Sequence, residues 1–206
     1  MIKTRLLYVL LIGSLLTGCI TTQVPPTSIY TIAPEWNKPV TQDLASKNNV
    51  FVLKIATIRA NRALKGTDIL YTDTQYSRNS YAFSRWSDTS VNLLQTFFHI
   101  AIEKSALYKA VIPSVSVSKA DFLLESNLLE LTHQLKENNS SDGIVRIRFY
   151  LINNQTRSVV STREFVSSVA VTNQNAQGAV EAINQAIRTV ADELVLWLTE
   201  QQLASR

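Results

Sequence analysis

The chain has 206 residues, of which 46% are hydrophobic, and it carries a formal net charge of +4. Removing an N-terminal signal that contains Lys3 and Arg5 lowers this charge to +2, which does not indicate a nucleic-acid partner. The length suits one well-buried domain, and the single cysteine excludes disulfides and cysteine-based metal sites within one chain.

An uncharged apolar run over residues 6–16 follows the basic start of the chain. The run is shorter than the stretch of about 20 residues that spans a bilayer, and this layout is typical of a secretion signal. It closes on Leu16-Thr17-Gly18-Cys19, which resembles the lipobox of bacterial lipoprotein precursors. The resemblance implies cleavage before Cys19 and acylation of that cysteine, with enough acyl chains for durable anchoring. The alternatives are an ordinary signal peptide with a chance cysteine, or a single anchoring helix.

Three regions follow from this interpretation: a cleaved signal at 1–18, a lipidated tether at 19–28 and one domain over 29–206. Pro25 and Pro26 favour extended backbone, so the tether is predicted to hold the domain off the membrane. Ile20 stands directly after the cysteine. In enteric-type bacteria the lack of an Asp at that place favours the outer membrane, with the domain on its periplasmic face.

The first part of the domain is predicted to consist of short strands and loops. Residues 29–32 indicate a brief strand, and the polar residues 34–49 a surface loop. Residues 50–58 are bulky on both faces, which predicts a central strand buried on both sides. Segments 69–72 and 76–83, with turn-forming residues at 65–68 and 79–80, predict a pair of strands or an extended hairpin.

Two helices are predicted from apolar spacing. The first begins at a cap on Ser87 or Asp88 and ends near residue 105. The second covers 176–201, and its continuous apolar stripe indicates that packing rather than surface ion pairs stabilises it.

The strands between the helices complete the predicted fold. Asp142-Gly143 is expected to supply left-handed geometry to the turn at 138–143, and the long strand is expected to contain a bulge near residues 126–128. The order of elements predicts an α+β class domain (α/β layered), with a mainly antiparallel sheet packed against two principal helices. The strands of this second half are predicted at 108–112, 122–135, 144–152 and 158–171.

The sequence offers few groups for catalysis. His99 and His133 have no second ligand at metal-binding spacing, and no Gly-rich phosphate loop or serine nucleophile motif is present. We therefore expect a domain that binds or connects, with no catalytic residue, metal or other cofactor. An enzyme whose acids or serine meet only in space is the remaining alternative.

One short segment is rich in residues that protein interfaces favour. Aromatic and guanidinium side chains give large contact areas with directional bonds. An alternative role for the same aromatics is to cover the protein's own core. The candidate partner-contact residues are Tyr76, Arg78, Tyr81, Arg85 and Trp86.

The same segment carries a family resemblance. Tyr30-Thr31-Ile32 soon after the lipobox, followed by Tyr81-Ala82-Phe83-Ser84-Arg85-Trp86-Ser87 ahead of a helix, resembles the ABC-type transport auxiliary lipoprotein family, to which the Pqi-type lipoprotein belongs. Many members have prolines after the Trp, where this chain has Asp88 and Thr89.

The resemblance implies a non-enzymatic envelope component. Its partners would be an MCE-domain protein and an ABC permease and ATPase that move lipids between the two membranes. It would receive that assembly at the outer membrane, with a homo-oligomer as one arrangement. A lipoprotein that regulates or scaffolds another envelope machine, such as a cell-wall synthase or an outer-membrane assembly complex, is the alternative.

Overall fold

The computed structural model describes residues 24–33, 50–73 and 76–204, and these form one mixed sheet with two long helices. Cys19 and the loop predicted at 34–49 lie outside the described residues. A 3₁₀ turn covers Arg62–Lys65. The helices are α1 (Ser90–Lys104) and α2 (Ala176–Ala204). The strands are β1 (Ser28–Tyr30), β2 (Val52–Ile55), β3 (Arg59–Ala60), β4 (Asp68–Thr72), β5 (Asn79–Trp86), β6 (Ala110–Pro113), β7 (Phe122–Leu135), β8 (Ser141–Asn153) and β9 (Ser158–Ala170).

The long strand β7 organises the sheet. Along one edge it pairs antiparallel with β8, and β8 pairs antiparallel with β9. Along its other edge it pairs, in parallel and at successive positions, with β2, β3 and β4. Outside these, β6 is parallel to β2, β5 is antiparallel to β4, and β1 is parallel to β5. The predicted α+β class and single domain are confirmed: the long pairings are antiparallel, and the parallel pairings are short.

Strict alternation in β8 explains which face of the sheet the helices cover. Val145, Ile147, Phe149 and Leu151 are buried, while Arg146 and the other intervening residues are partly exposed. The buried face packs against α2, whose apolar stripe is confirmed. A chain of edge-to-face ring contacts joins α1, the sheet and α2, through Phe98, Phe149, Phe165 and Trp197.

The close approach of α2 to the sheet explains why a glycine stands in β8. The prediction that Asp142-Gly143 forms the left-handed turn is wrong: both residues lie within β8, and Asn139 in the preceding turn has φ 58°. A Cβ added at Gly143 would lie 2.7 Å from the backbone nitrogen of Ile183 in α2. Glycine is needed here so that the helix can contact the strand directly.

Three further predictions are corrected in detail. Strand β2 is shorter than 50–58 and buries one face only, because Leu53 alternates with the half-buried Lys54. The helix cap is Thr89, whose hydroxyl accepts from the Asn92 amide, rather than Ser87 or Asp88. The register of β7 against β8 shifts after Leu128, just beyond the predicted bulge.

Candidate interaction surface

The five predicted contact residues lie in β5 and in the turn before it, but they do not share one surface. Tyr76 is 91% exposed, and Arg78 is also exposed. Tyr81 and Arg85 are half-buried, and Trp86 is 3% exposed. The turn therefore presents two of the five side chains to solvent, and β5 directs the others into the protein.

Trp86 belongs to the hydrophobic core, which corrects its place in the predicted contact surface. The strand runs to Trp86, where the backbone N–H donates to the Thr67 carbonyl at 2.7 Å. Ser84 and Trp86 alternate inward along β5, whereas Phe83 remains 43% exposed. The indole is consequently a packing group in this structure and offers no contact area to a partner.

Arg85 links β5 to β4. Its Nε lies 3.2 Å from Asp68 Oδ1, and Asp68 is its cross-strand partner in the sheet. Its Nη1 donates to the carbonyl oxygens of Tyr81 at 2.5 Å and Ser84 at 2.8 Å. The guanidinium thus joins β5 to β4, while about a third of the side chain stays exposed.

Tyr81 is tied to a buried histidine that the sequence left unassigned. Its Oη lies 2.6 Å from Nδ1 of His133, which is 0% exposed, and its ring lies beside that of Tyr71. Burial raises the pKa of the Tyr81 phenol and lowers the pKa of His133, against a smaller opposing effect of the Asp142 carboxylate. Nε2 of His133 and Oγ of Ser141 have no hydrogen-bond partner within the described ranges.

Acidification is expected to destabilise the fold through His133. The lowered pKa means that the unfolded state protonates first, so the stability contributed by neutral His133 is complete above pH 6.5 and is lost as the pH falls towards the lower folded-state pKa. His133→Gln keeps a polar partner for Tyr81 but cannot take up this proton. Thermal unfolding at about pH 7.5 and about pH 5.5 should therefore show a smaller decline in Tm for the variant. Equal declines for the two proteins would contradict the assignment.

A second polar cluster covers the helix-free face of the sheet. Glu164 in β9 accepts from Nη1 of Arg146 at 3.1 Å and from Nη2 of Arg148 at 2.5 Å, and Arg146 also contacts Glu130 at 3.4 Å. Hydrogen bonds to Arg148 and then to Arg146 lower the pKa of Glu164. The two acids and two guanidiniums neutralise one another. A shallow cleft of about 230 Å³ lies on the same sheet, lined by Arg59, Glu125, Ser126, Asn127, Tyr150, Ile152 and Val159.

Within the described parts of the chain, no three His, Cys, Asp or Glu side chains are grouped as metal ligands would be. None of the helices found there combines the length and apolar character needed to cross a bilayer. An exposed apolar side chain lies on the strand next to β5: Ile29 in β1 is 62% exposed and stands opposite Arg85. The sequence pattern did not single out Ile29, because a three-residue strand carries too little periodicity to show which face is free.

Comparisons with solved structures agree with this fold. Protein XCC0632 from Xanthomonas campestris superposes with a TM-score of 0.71 at 20% identity, covering 88% of this chain and 98% of that one. A second crystal structure, of an uncharacterised protein, gives a TM-score of 0.65 at 8% identity over 84% of this chain and 99% of the other. No curated protein matches the sequence significantly.

The model of one protein family matches most of the chain. Its description is "ABC-type transport auxiliary lipoprotein component", and the match covers residues 30–195, from β1 into α2. This range includes the segment on which the sequence resemblance rested. The chain belongs to the ABC-type transport auxiliary lipoprotein family.

Proposed function

We propose that this protein is a non-enzymatic, lipid-anchored component of an ABC/MCE-type envelope lipid transport system. It faces the periplasm from the outer membrane and docks the transport assembly there. The family match over residues 30–195 carries this proposal. ATP hydrolysis would belong to another subunit, in keeping with a sequence that has no phosphate-binding loop.

The proposed anchor is supported by the chain that leads into β1. Residues 24–29 are all exposed, and β1 begins at Ser28. A tether that joins the edge of a sheet is expected to be exposed in this way. Pro25 and Pro26 disfavour a helix in this stretch, so the domain is held by an extended segment.

Cys19→Ala tests the anchor. Without the thiol no acyl chain can be attached, so we expect an unprocessed precursor that no longer fractionates with the outer membrane. Mass spectrometry of the N-terminal peptide and membrane fractionation measure the two effects. Thr17→Ala, which keeps a small residue before the cysteine, is the matched control and should be processed normally. A Cys19→Ala protein that still fractionates as a lipidated species would refute the anchor.

Co-purification tests the proposed role. The native protein is isolated from envelopes after mild cross-linking, and its partners are identified by mass spectrometry. We expect an MCE-domain subunit together with an ABC permease or ATPase. The Cys19→Ala protein is the control, because it should lose these partners along with its membrane position. Recovery of a cell-wall synthase or an outer-membrane assembly complex in their place would favour the scaffold role instead.

A further inference from the structure

The sheet topology directs the tether towards an exposed turn. Strand β1 is parallel to the last three residues of β5, with Ser28 opposite Ser84. Because the two strands run in the same direction, the chain that leads back from Ser28 points along β5 towards the turn that precedes it. That turn contains Tyr76 and Arg78.

The covalent length of the tether limits how far this end can be from the membrane. Nine residue steps separate Ser28 from Cys19, which gives a maximum reach of about 30 Å. From the level of Ser84 back to Asn79, β5 itself extends about 17 Å in the same direction. The distance from Ser28 to the level of the turn before β5 is therefore more than half of the maximum length of the tether.

The side chains at this end suit the membrane–water boundary. We define the tether-side surface as Val24, Tyr76 and Arg78. Val24 is 76% exposed and Tyr76 is 91% exposed. Arg78 is exposed and forms no ion pair with any described residue. Aromatic rings and guanidinium groups are favoured at the level of lipid headgroups, where their apolar parts enter the boundary and their polar ends stay hydrated.

We propose that the tether-side surface rests on the headgroup region of the bilayer that holds the anchor. The proposal depends on the acylation of Cys19 proposed above. It replaces the protein-contact role predicted for Tyr76 and Arg78 by a lipid contact. The occupant is a lipid surface because the chain that leads back to the proposed anchor runs from β1 towards this end of the sheet.

The opposite end of the sheet then faces the periplasm. The β4–β5 turn and the β7–β8 turn lie at one end, since β4 is parallel to β7 with Tyr71 opposite His133. The β8–β9 turn after Asn153 lies at the other end, because β8 is antiparallel to β7. A docking partner would therefore reach the molecule from the side of the β8–β9 turn.

Site-specific fluorescence quenching tests this orientation in the lipidated protein. Cys19 is the only cysteine of the chain and is acylated in the proposed mature form, so Tyr76→Cys introduces a unique thiol for an environment-sensitive probe. Gln155→Cys, in the exposed β8–β9 turn, is the matched control at the far end. Both proteins are reconstituted in vesicles of phosphatidylethanolamine and phosphatidylglycerol that contain a headgroup-spin-labelled lipid.

We expect strong quenching of the probe at position 76, little quenching at position 155, and a several-fold loss of quenching at position 76 when Arg78→Glu is added. Equal quenching at the two positions, or stronger quenching at 155, would overturn the proposal. So would a probe at position 76 that responds to an added partner protein but not to lipid. Vesicle flotation separates this outcome from failure of the anchor: a protein that floats with the vesicles but is not quenched at position 76 contradicts the orientation alone.

Discussion

Trp86→Ala is expected to lower the free energy of unfolding by about 3–5 kcal/mol, the usual cost of truncating a large buried aromatic side chain. The indole is 3% exposed and belongs to the main core cluster, so its removal leaves a cavity that the surrounding strands cannot fill. Urea unfolding followed by far-ultraviolet circular dichroism measures the change. For a domain of this size each kcal/mol lowers Tm by about 2–4 °C.

Tyr76→Ala is the matched control for this prediction. Tyr76 lies ten residues earlier in the same segment but is 91% exposed, so its truncation should change stability by no more than about 0.5 kcal/mol. Trp86→Phe should recover part of the stability, because it keeps an aromatic group in the core. A Trp86→Ala protein as stable as the wild type would show that the indole does not pack as described.

Gly143→Ala is expected to destabilise the fold by about 2–3 kcal/mol, towards the upper part of the range for an overpacked core. The added methyl group would lie 2.7 Å from Ile183 N and 2.9 Å from the carbonyl carbon and Cβ of Ala182. These are mostly backbone atoms of α2, so the helix has to move away from the sheet as a unit. The measurement is the shift in the urea midpoint with its slope unchanged.

Gly66→Ala provides the comparison at a second glycine. A Cβ there meets no atom closer than 3.8 Å, and the backbone φ of −88° is allowed for any residue. We expect a neutral or slightly stabilising effect, because alanine restricts the unfolded chain more than glycine does. Equal losses in the two variants would mean that the close helix–strand contact at Gly143 is not the cause.

The five predicted contact residues show which structural features local sequence predicts and which it does not. The density of aromatic and basic residues between 76 and 86 correctly marked a segment of structural importance, but it did not separate the exposed Tyr76 from the buried Trp86. That difference depends on where β5 begins, on which of its faces meets the core, and on the pairing of Arg85 with Asp68. No local pattern predicted a partner for His133, because its bond to Tyr81 joins residues 52 positions apart.

Sequence reasoning predicted the elements whose pattern is strong and local. The apolar stripe of α2 predicted that helix and its buried face, because side-chain direction repeats every 3.6 residues in a helix. The three long strands β7, β8 and β9 and the α+β class were also predicted correctly.

The order of the strands in the sheet depends on contacts between distant parts of the chain. Alternation shows which face of a strand is buried but does not identify the strand it pairs with. Strands β2, β3 and β4 all pair with one edge of β7, which is distant from them in the sequence. The contact of Gly143 with a helix rather than a turn, and the parallel pairing of β1 with the end of β5, also depend on the tertiary structure. These features arise from packing between distant segments, so no short stretch of sequence predicts them.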